Sequence, residues 1–483
     1  MNPEQTIKSF LEFEERYAMF KVKVDGVYIW HYIRFYLYNE LLNLYGLPRL
    51  EGDSTGKKKQ KEHWSDYLKE LIVYNQFLVH QRDVLIIPHP RKYNEESIYY
   101  KCIYTDLLDN YLSNSHYILD GKSREGVFAC QRSHNVLHMD LEAFKKMKRL
   151  KCEYRIASSK EVNTKIIVPL EKYFNVEFSF AFKKRLFELI NFDLNERVYL
   201  EKYYSYMLKK IKPKIILMVV SYGFDRMVLC EIAKRRGIPV VELQHGTINF
   251  LHIAYNFHEK MNLPSFPDYI FSFGKYEKYN AKFPIGDERI IPTGYPELEN
   301  KYHSYKKSRS SSKRILFISQ GIKESAICAN ILAENLDTEK YHIIYKLHPK
   351  EYFDWKKNIG KYLHNPNIEV AGDFGHTIYD FLAEADWVVG NSSTVLYEAQ
   401  MFDVKVAVLK NNIYDKSLCE YGNAVLVDSP EKLMEEIKKD TFQPNKKISF
   451  FEKNSLEKMQ TNINNIIKRH QKANRNVNVR ECF

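Results

Sequence analysis

The segment Gly390-Asn391-Ser392-Ser393-Thr394 gathers residues suited to holding an anion. The apolar run DWVVG leads into it and VLYEAQMF follows, so a strand is expected to end where a helix begins. Hydroxyl side chains and free backbone N–H groups meet at such a helix start. The helix dipole adds to their pull on a phosphate. Glu398 follows Thr394 by about one helical turn, where it can accept hydrogen bonds from sugar hydroxyls. The plainer reading is a Ser/Thr cap with a surface Glu.

A second segment, Tyr345-Lys346-Leu347-His348-Pro349-Lys350, closes the strand-like run YHIIYKL. Pro349 stops that strand and suits the first turn of a helix. Lys346 and His348 are two apart, so on an extended strand they share a face. A cation beside an imidazole suits a diphosphate or a departing phosphate; a solvated Lys beside a loop His is the alternative. Gln244-His245-Gly246-Thr247 follows the strand-like run 240–243, with Gly246 permitting a turn and close backbone approach. Ser319-Gln320-Gly321 ends another apolar run and opens a helix, where nucleotide folds bring phosphate or sugar up to backbone. Thr293-Gly294-Tyr295-Pro296 reads as a structural turn into a linker.

Short Val-, Ile- and Tyr-rich runs alternate with stretches of helical period, the pattern of parallel sheets with crossover helices. Strands are expected over 84–87, 117–119, 165–168, 215–220, 239–243, 269–273 and 289–292, then over 315–319, 343–347, 368–370, 387–389, 405–409 and 424–427. Helices are expected over 323–335, 377–384, 395–402 and 430–439, and the Ser-rich stretch 302–312 as a linker. The expected fold class is α/β, with two Rossmann-like, doubly wound lobes facing a central cleft. They are an N-terminal lobe over 1–301 with a helical N-terminal segment, and a C-terminal lobe over 313–440; a helix and basic tail follow over 441–483. In that last helix Leu456, Met459, Ile463, Ile466 and Ile467 share a face and Ser455 can cap it. It can pack back across the linker or stay on its own lobe. A helix over 27–42 carries aromatics nearly all round with Arg34 among them. It reads as a buried core helix, or else as a belt at a membrane surface or a platform for stacking sugars.

Composition narrows the class. Apolar residues make up 45% and aromatics 14% of the 483 residues, enough to bury a core, so dominant disorder is excluded. No apolar run reaches the roughly 18–20 residues of a membrane span, and MNPEQTIKSFLEFEE is no secretion signal. The seven Cys (102, 130, 152, 230, 328, 419, 482) form no C-x-x-C pair and read as free thiols in a reducing compartment. The expected location is therefore cytoplasmic. The net charge of +12 favours anionic partners. It is concentrated in Lys57–Lys61 and in 468–480, either solvated segments or a peripheral seat on the inner face of a membrane. No G-x-x-x-x-G-K-[ST], no G-x-G-x-x-G after a strand, no G-x-S-x-G and no D-x-D occurs. No nucleic-acid module is visible.

In order, QHG, TGYPELE, ISQG, YKLHP and GNSSTVLYEA resemble GT-B fold glycosyltransferases, and more narrowly the bacterial capsule, polysialic acid and teichoic acid polymerising enzymes. The resemblance covers roughly 214–402. It implies a nucleotide-sugar donor on the second lobe, with Gln320, Gly321, Lys346, His348, Ser392, Ser393 and Thr394 at the phosphates and Glu398 at the ribose. It implies a glycan or lipid-linked glycan acceptor on the first lobe, and no metal or other cofactor beyond the nucleotide-sugar co-substrate, in keeping with the missing D-x-D. If the reaction inverts configuration, a base must take the acceptor proton. Asp120 in YILDGKSREG, Asp225 in SYGFDR and His245 are the candidates. The function expected is transfer of a sugar to a growing surface glycan. The alternatives are a sugar-nucleotide 2-epimerase or a glycerophosphate or phosphosugar transferase on the same scaffold, and, further off, a non-enzymatic binder of polyanions or membranes.

Overall fold

The computed structural model describes residues 1–47, 50, 79–90, 93–94, 100–112, 115–121, 135–139, 159–305, 311–372, 375–391, 393–410, 416–445 and 447–480. The chain divides into two compact units, Met1–Ser272 with Ala281–Ile291 and Leu456–Phe483, and Phe273–Asn280 with Pro292–Ser455.

In the first unit, β1 (Val84–Ile87), β2 (His116–Asp120), β3 (Val136–His138), β4 (Ile215–Val219), β5 (Val240–Leu243), β6 (Tyr269–Ser272) and β7 (Ile290–Pro292) make one sheet. Its order is β7-β6-β5-β4-β1-β2-β3, parallel at every pairing from β6 to β3. In the second unit, β8 (Lys313–Ile318), β9 (Tyr341–Lys346), β10 (Ile368–Ala371), β11 (Trp387–Gly390), β12 (Lys405–Leu409) and β13 (Val425–Val427) run in the order β10-β9-β8-β11-β12-β13, all parallel. Both are doubly wound: the chain steps outward from the first strand, then returns beside it and steps out the other way. The α/β class with two Rossmann-like units, as a GT-B chain requires, is present. The strands are continuous Val/Ile/Leu runs because both faces of such sheets are covered; Ile215, Ile216, Leu217, Met218 and Val219 are all fully buried.

Three expectations need correction. Residues 165–168 are helical: Val162, Ile166, Leu170 and Phe174, four apart, are all buried, a helical stripe that a short apolar run conceals. The first sheet gains β3, a three-residue strand too short to signal itself. The helix placed at 27–42 begins later, at Trp30. Asp25 and Gly26 both have positive φ, the Asp-Gly turn of a two-residue hairpin, and it draws Val27 and Tyr28 into pairing with Lys23 and Val24.

With α1 (Pro3–Arg16) and α2 (Trp30–Leu44), that aromatic segment is core. Arg34 is 1% exposed and grips Glu14 through Nε at 2.7 Å and Nη2 at 2.8 Å; it also donates to the carbonyls of Ile253 and Asn256 and lies 4.4 Å over the Phe257 ring. The belt and stacking-platform readings therefore fall away. At the other end of the sequence, α6 (Ser455–Arg480) puts Met459, Ile463 and Ile466 into the core beneath β1, β4, β5 and β6. Further helices are α3 (Phe224–Arg235), α4 (Ile378–Glu384) and α5 (Thr394–Glu398), the last continued by a 3-10 turn over Ala399–Phe402. A helix over Pro296–Ser304 takes in residues 302–304, and 306–310 lie outside the described residues, as does the 57–61 cluster. Among the described residues no helix is long and apolar enough to cross a membrane, and Cys102, Cys230, Cys328 and Cys419 form no disulfide.

Removing one partner of a buried ion pair strands the other charge, at a cost of about 3–5 kcal/mol. Glu14→Ala is expected to lower the melting temperature by several degrees, whereas Glu15→Ala, on the exposed face of the same helix, is not; equal melting temperatures would show the pair to be dispensable.

Candidate functional site

Where winding reverses, no crossover helix fills the space beyond the two central strands, so ligands collect there. In the second unit those strands are β8 and β11, in register at Ile318 and Gly390, with β9 on the other side of β8. Their carboxyl ends lead into Ser319-Gln320-Gly321, Asn391 to Thr394, and His348. Three of the sequence-derived segments thus converge on one edge.

One carboxylate ties two of them together. Glu351 accepts from Ser319 Oγ at 3.0 Å and from the His348 backbone N–H at 2.8 Å, so the turn after β9 is fastened to the loop after β8. Ser319 Oγ also accepts from the Gly321 N–H at 3.3 Å, and Gly321 turns with φ +71°, a conformation that costs glycine little. Gln320 and Gly321 are exposed. His348 Nδ1 accepts from the Lys350 N–H at 3.2 Å, which leaves Nε2–H of the neutral ring as a donor on a half-exposed side chain. Lys346 does not stand open beside it. The residue is 6% exposed, and its ammonium donates to Tyr352 OH at 2.8 Å and lies 4.9 and 5.4 Å from the Tyr352 and Phe381 ring centres. The strand ends at Lys346 and His348 already caps the turn after it, so strand alternation does not carry through both, and Tyr352 reaches back from that turn and claims the Lys346 charge.

Ser393 caps α5, its Oγ accepting from Val395 N–H at 3.3 Å, and Thr394 is exposed; Ser392 lies outside the described residues. The five residues of α5 and the 3-10 turn after them together cover the expected helical run 395–402. Asn391 donates to the Leu409 carbonyl at 3.0 Å, while its buried Oδ1 has no partner among the described residues. Burial pushes the Glu398 carboxyl up to about 7, against a hydrogen bond with Tyr379. It is no ordinary surface Glu.

In the first unit the reversal lies between β1 and β4. Beyond β4 the chain passes through Val220 at φ +64°, a left-handed conformation that a β-branched residue adopts only under strain, into Ser221 and Tyr222. Beyond β1 lies Pro88-His89-Pro90, and beyond β5 lies His245. The His89 and His245 rings are 5.4 Å apart, Tyr104 stands edge-on to His245 at 6.3 Å, and Tyr222 OH is 3.3 Å from His245 Nε2. Gly246 has no unusual φ, and its carbonyl accepts from the Gln244 amide at 2.7 Å.

The other two base candidates differ in position: Asp225 follows Tyr222 by three residues, whereas Asp120 ends a strand further along the sheet. Asp225 sits in the first turn of α3, a third exposed, 3.8 Å from Arg226, with Gly223 rather than Asp225 as the cap. Asp120 ends β2 and is 2% exposed; β2 is three strands from β5, roughly 14 Å at about 4.8 Å per strand. Sequence reasoning missed Glu351, His89 and Tyr222. The first completes a capping box with His348, and the second repeats a His-Pro step directly after a strand; both signals were readable. Tyr222 gave none. Among the described residues no group of three or more His, Cys, Asp or Glu side chains is arranged to hold a metal ion.

No protein-family model matches the chain, and no curated protein sequence does. Solved structures with a similar chain course include UDP-GlcNAc 2-epimerase from Neisseria meningitidis bound to UDP-GlcNAc, at 14% identity and TM-score 0.44, over 79% of this chain and 98% of that one. They also include UDP-GlcNAc 2-epimerase from Methanocaldococcus jannaschii, at 13% and 0.44 over 79% and 99%. The wall teichoic acid polymerase TagF is similar at 12% and 0.42 over 91% and 98%. These likenesses decide nothing about chemistry, which rests on the residues described above.

The Glu398 carboxyl gives a sign that can be checked. With a folded-state value near 7 against an ordinary 4.5, the native protein keeps this proton where the unfolded chain has lost it, so its contribution to stability falls as pH rises from 4.5 to 7 and stays low above. Glu398→Gln has no charge to bury. Its melting temperature relative to the native protein is expected to climb across that window and to be higher at pH 8; a constant difference from pH 5 to 8 would refute the shift.

Proposed function

We propose that the protein is a sugar-nucleotide enzyme of the GT-B type, specifically a metal-independent glycosyltransferase that moves a sugar from a nucleotide donor to a glycan or lipid-linked glycan. The observation that carries this reading is the second unit's edge, where His348 is held by the Lys350 N–H with Nε2–H as donor, beside the left-handed turn at Gly321. In this reading Nε2–H, the backbone at Gly321 and the cap at Ser393 and Thr394 meet the diphosphate, with Ser392 and Gln320 next to them. Lys346 supplies positive potential from within its aromatic cage, and Glu398 accepts from the ribose. These groups stabilise charge that grows on the leaving nucleotide, the role such preorganised donors play best. On the first unit His245, between Tyr222 and His89, is the group to receive the acceptor's hydroxyl proton. The basic segment over 468–480 would favour an anionic lipid surface near the acceptor.

Binding to the folded state raises the melting temperature; at about 100-fold excess over Kd the gain is roughly 2.7 kcal/mol. A screen of UMP, UDP, CMP, CDP and GDP with the full chain is expected to give such a rise for one base family. His348→Ala should abolish it while leaving the ligand-free melting temperature within a degree or two. No response to any nucleotide, or an undiminished one in the variant, would refute the assignment. Mass analysis of products then separates transfer to an acceptor from 2-epimerisation, which needs none, and from glycerophosphate transfer.

A further inference from the structure

Glu242 interrupts the apolar strand β5 in the middle of the first sheet, paired in register with Met218 and Ile270, and is fully buried. An ionisable side chain in such a place costs several kcal/mol unless its charge is answered. The answering groups come from several elements. Ser221, at the end of β4, donates to Oε2 at 2.5 Å, and Tyr255, in the 3-10 turn Ile253–Tyr255, donates to Oε1 at 2.6 Å. Arg226 of α3 adds positive potential. His245, three residues on along the same strand end, has Nδ1 3.9 Å from Oε1. The opposite nitrogen, Nε2, faces Tyr222 OH, and His252 packs against Tyr222 and Tyr255 at 5.5 and 4.9 Å.

The 3.9 Å separation is longer than a hydrogen bond, but catalytic pairs are often long in ligand-free sites and shorten in the working complex. At that distance a buried carboxylate acts strongly on the imidazole as a charge. Which ring nitrogen carries the proton is set by what faces the other. We propose that Glu242 is a positioning residue for His245: its buried carboxylate holds a proton on Nδ1, so that Nε2 is the basic nitrogen presented beside Tyr222. The inference builds on the reading of His245 as the acceptor-side base. In the step it prepares, the acceptor O–H proton passes to Nε2 and the acceptor oxygen bonds to the anomeric carbon. The bond from that carbon to the nucleotide breaks, the electron pair leaves with the phosphate, and the imidazolium formed lies against Glu242. Burial pushes the Glu242 carboxyl above the usual range, opposed by its two hydroxyl donors and by Arg226, and an imidazolium at His245 adds a further positive charge beside it.

The test needs no substrate. In full-length protein with ¹⁵N-labelled histidine, the His245 resonances are identified by their loss in His245→Gln, and their shifts report the tautomer. Glu242→Gln keeps the volume and removes the charge. It is expected to lower the ratio of Nδ1–H to Nε2–H by about tenfold, since a charge at this range outweighs a neutral amide by at least that factor. Should that variant not fold, Tyr255→Phe frees Oε1 of one donor and is expected to raise the same ratio. An unchanged ratio in a folded variant overturns the proposal. A shifted ratio supports it whatever the nucleotide screen returns, so the pairing and the transferase reading fail separately. In an active preparation Glu242→Gln should lower kcat at least tenfold with the acceptor KM little changed; a loss confined to KM overturns the positioning role.

Discussion

A parallel sheet must end all its strands on one edge, and a doubly wound one leaves that edge open only at the reversal. Nearly everything of chemical interest in this protein follows from that constraint. In the second unit it gathers Ser319, Gly321, Asn391 and His348 from three strands far apart in sequence. In the first it does the same for His89, Tyr222 and His245, and the strained Val220 sits at that reversal. The sheets are hydrophobic scaffolds whose one exposed seam is polar.

Within each seam the histidine is fixed by its neighbours. His348 spends Nδ1 on a backbone N–H of its own turn, and Glu351 binds that turn to the next loop. His245 lies between a tyrosine hydroxyl and a carboxylate sunk in the sheet. In both cases a carboxylate three positions from the histidine organises the site, Glu351 after His348 and Glu242 before His245. One acts through backbone and the other through the ring, because one follows a turn and the other a strand.

How much of this was legible in the sequence depended on whether the signal was local. Runs such as ILMVV and DWVVG announced central strands, and the quoted motifs follow the carboxyl ends of strands. The segment KIIV was misread because a short apolar run cannot distinguish a strand from one face of a helix; only the spacing of Val162, Ile166, Leu170 and Phe174 did so. The Asp25-Gly26 turn was a readable hairpin signal that a strongly aromatic neighbour masked. Lys346 was expected to stand open beside His348, and no pattern told that Tyr352 would cover it. Glu242 carried no signal in the sequence, since Ser221 and Tyr255, which make its burial tolerable, meet it only in three dimensions.

The helix Ser455–Arg480 supplies Met459, Ile463 and Ile466 to a core whose strands were laid down long before, the last of them Ile290–Pro292. Chains emerge from the ribosome at about 5–20 residues per second, and domains commonly fold in the order they appear. Here that order is denied. The earlier-made sheet waits for part of the cover of one apolar face until all of the later one has been translated, a window of many seconds at that rate.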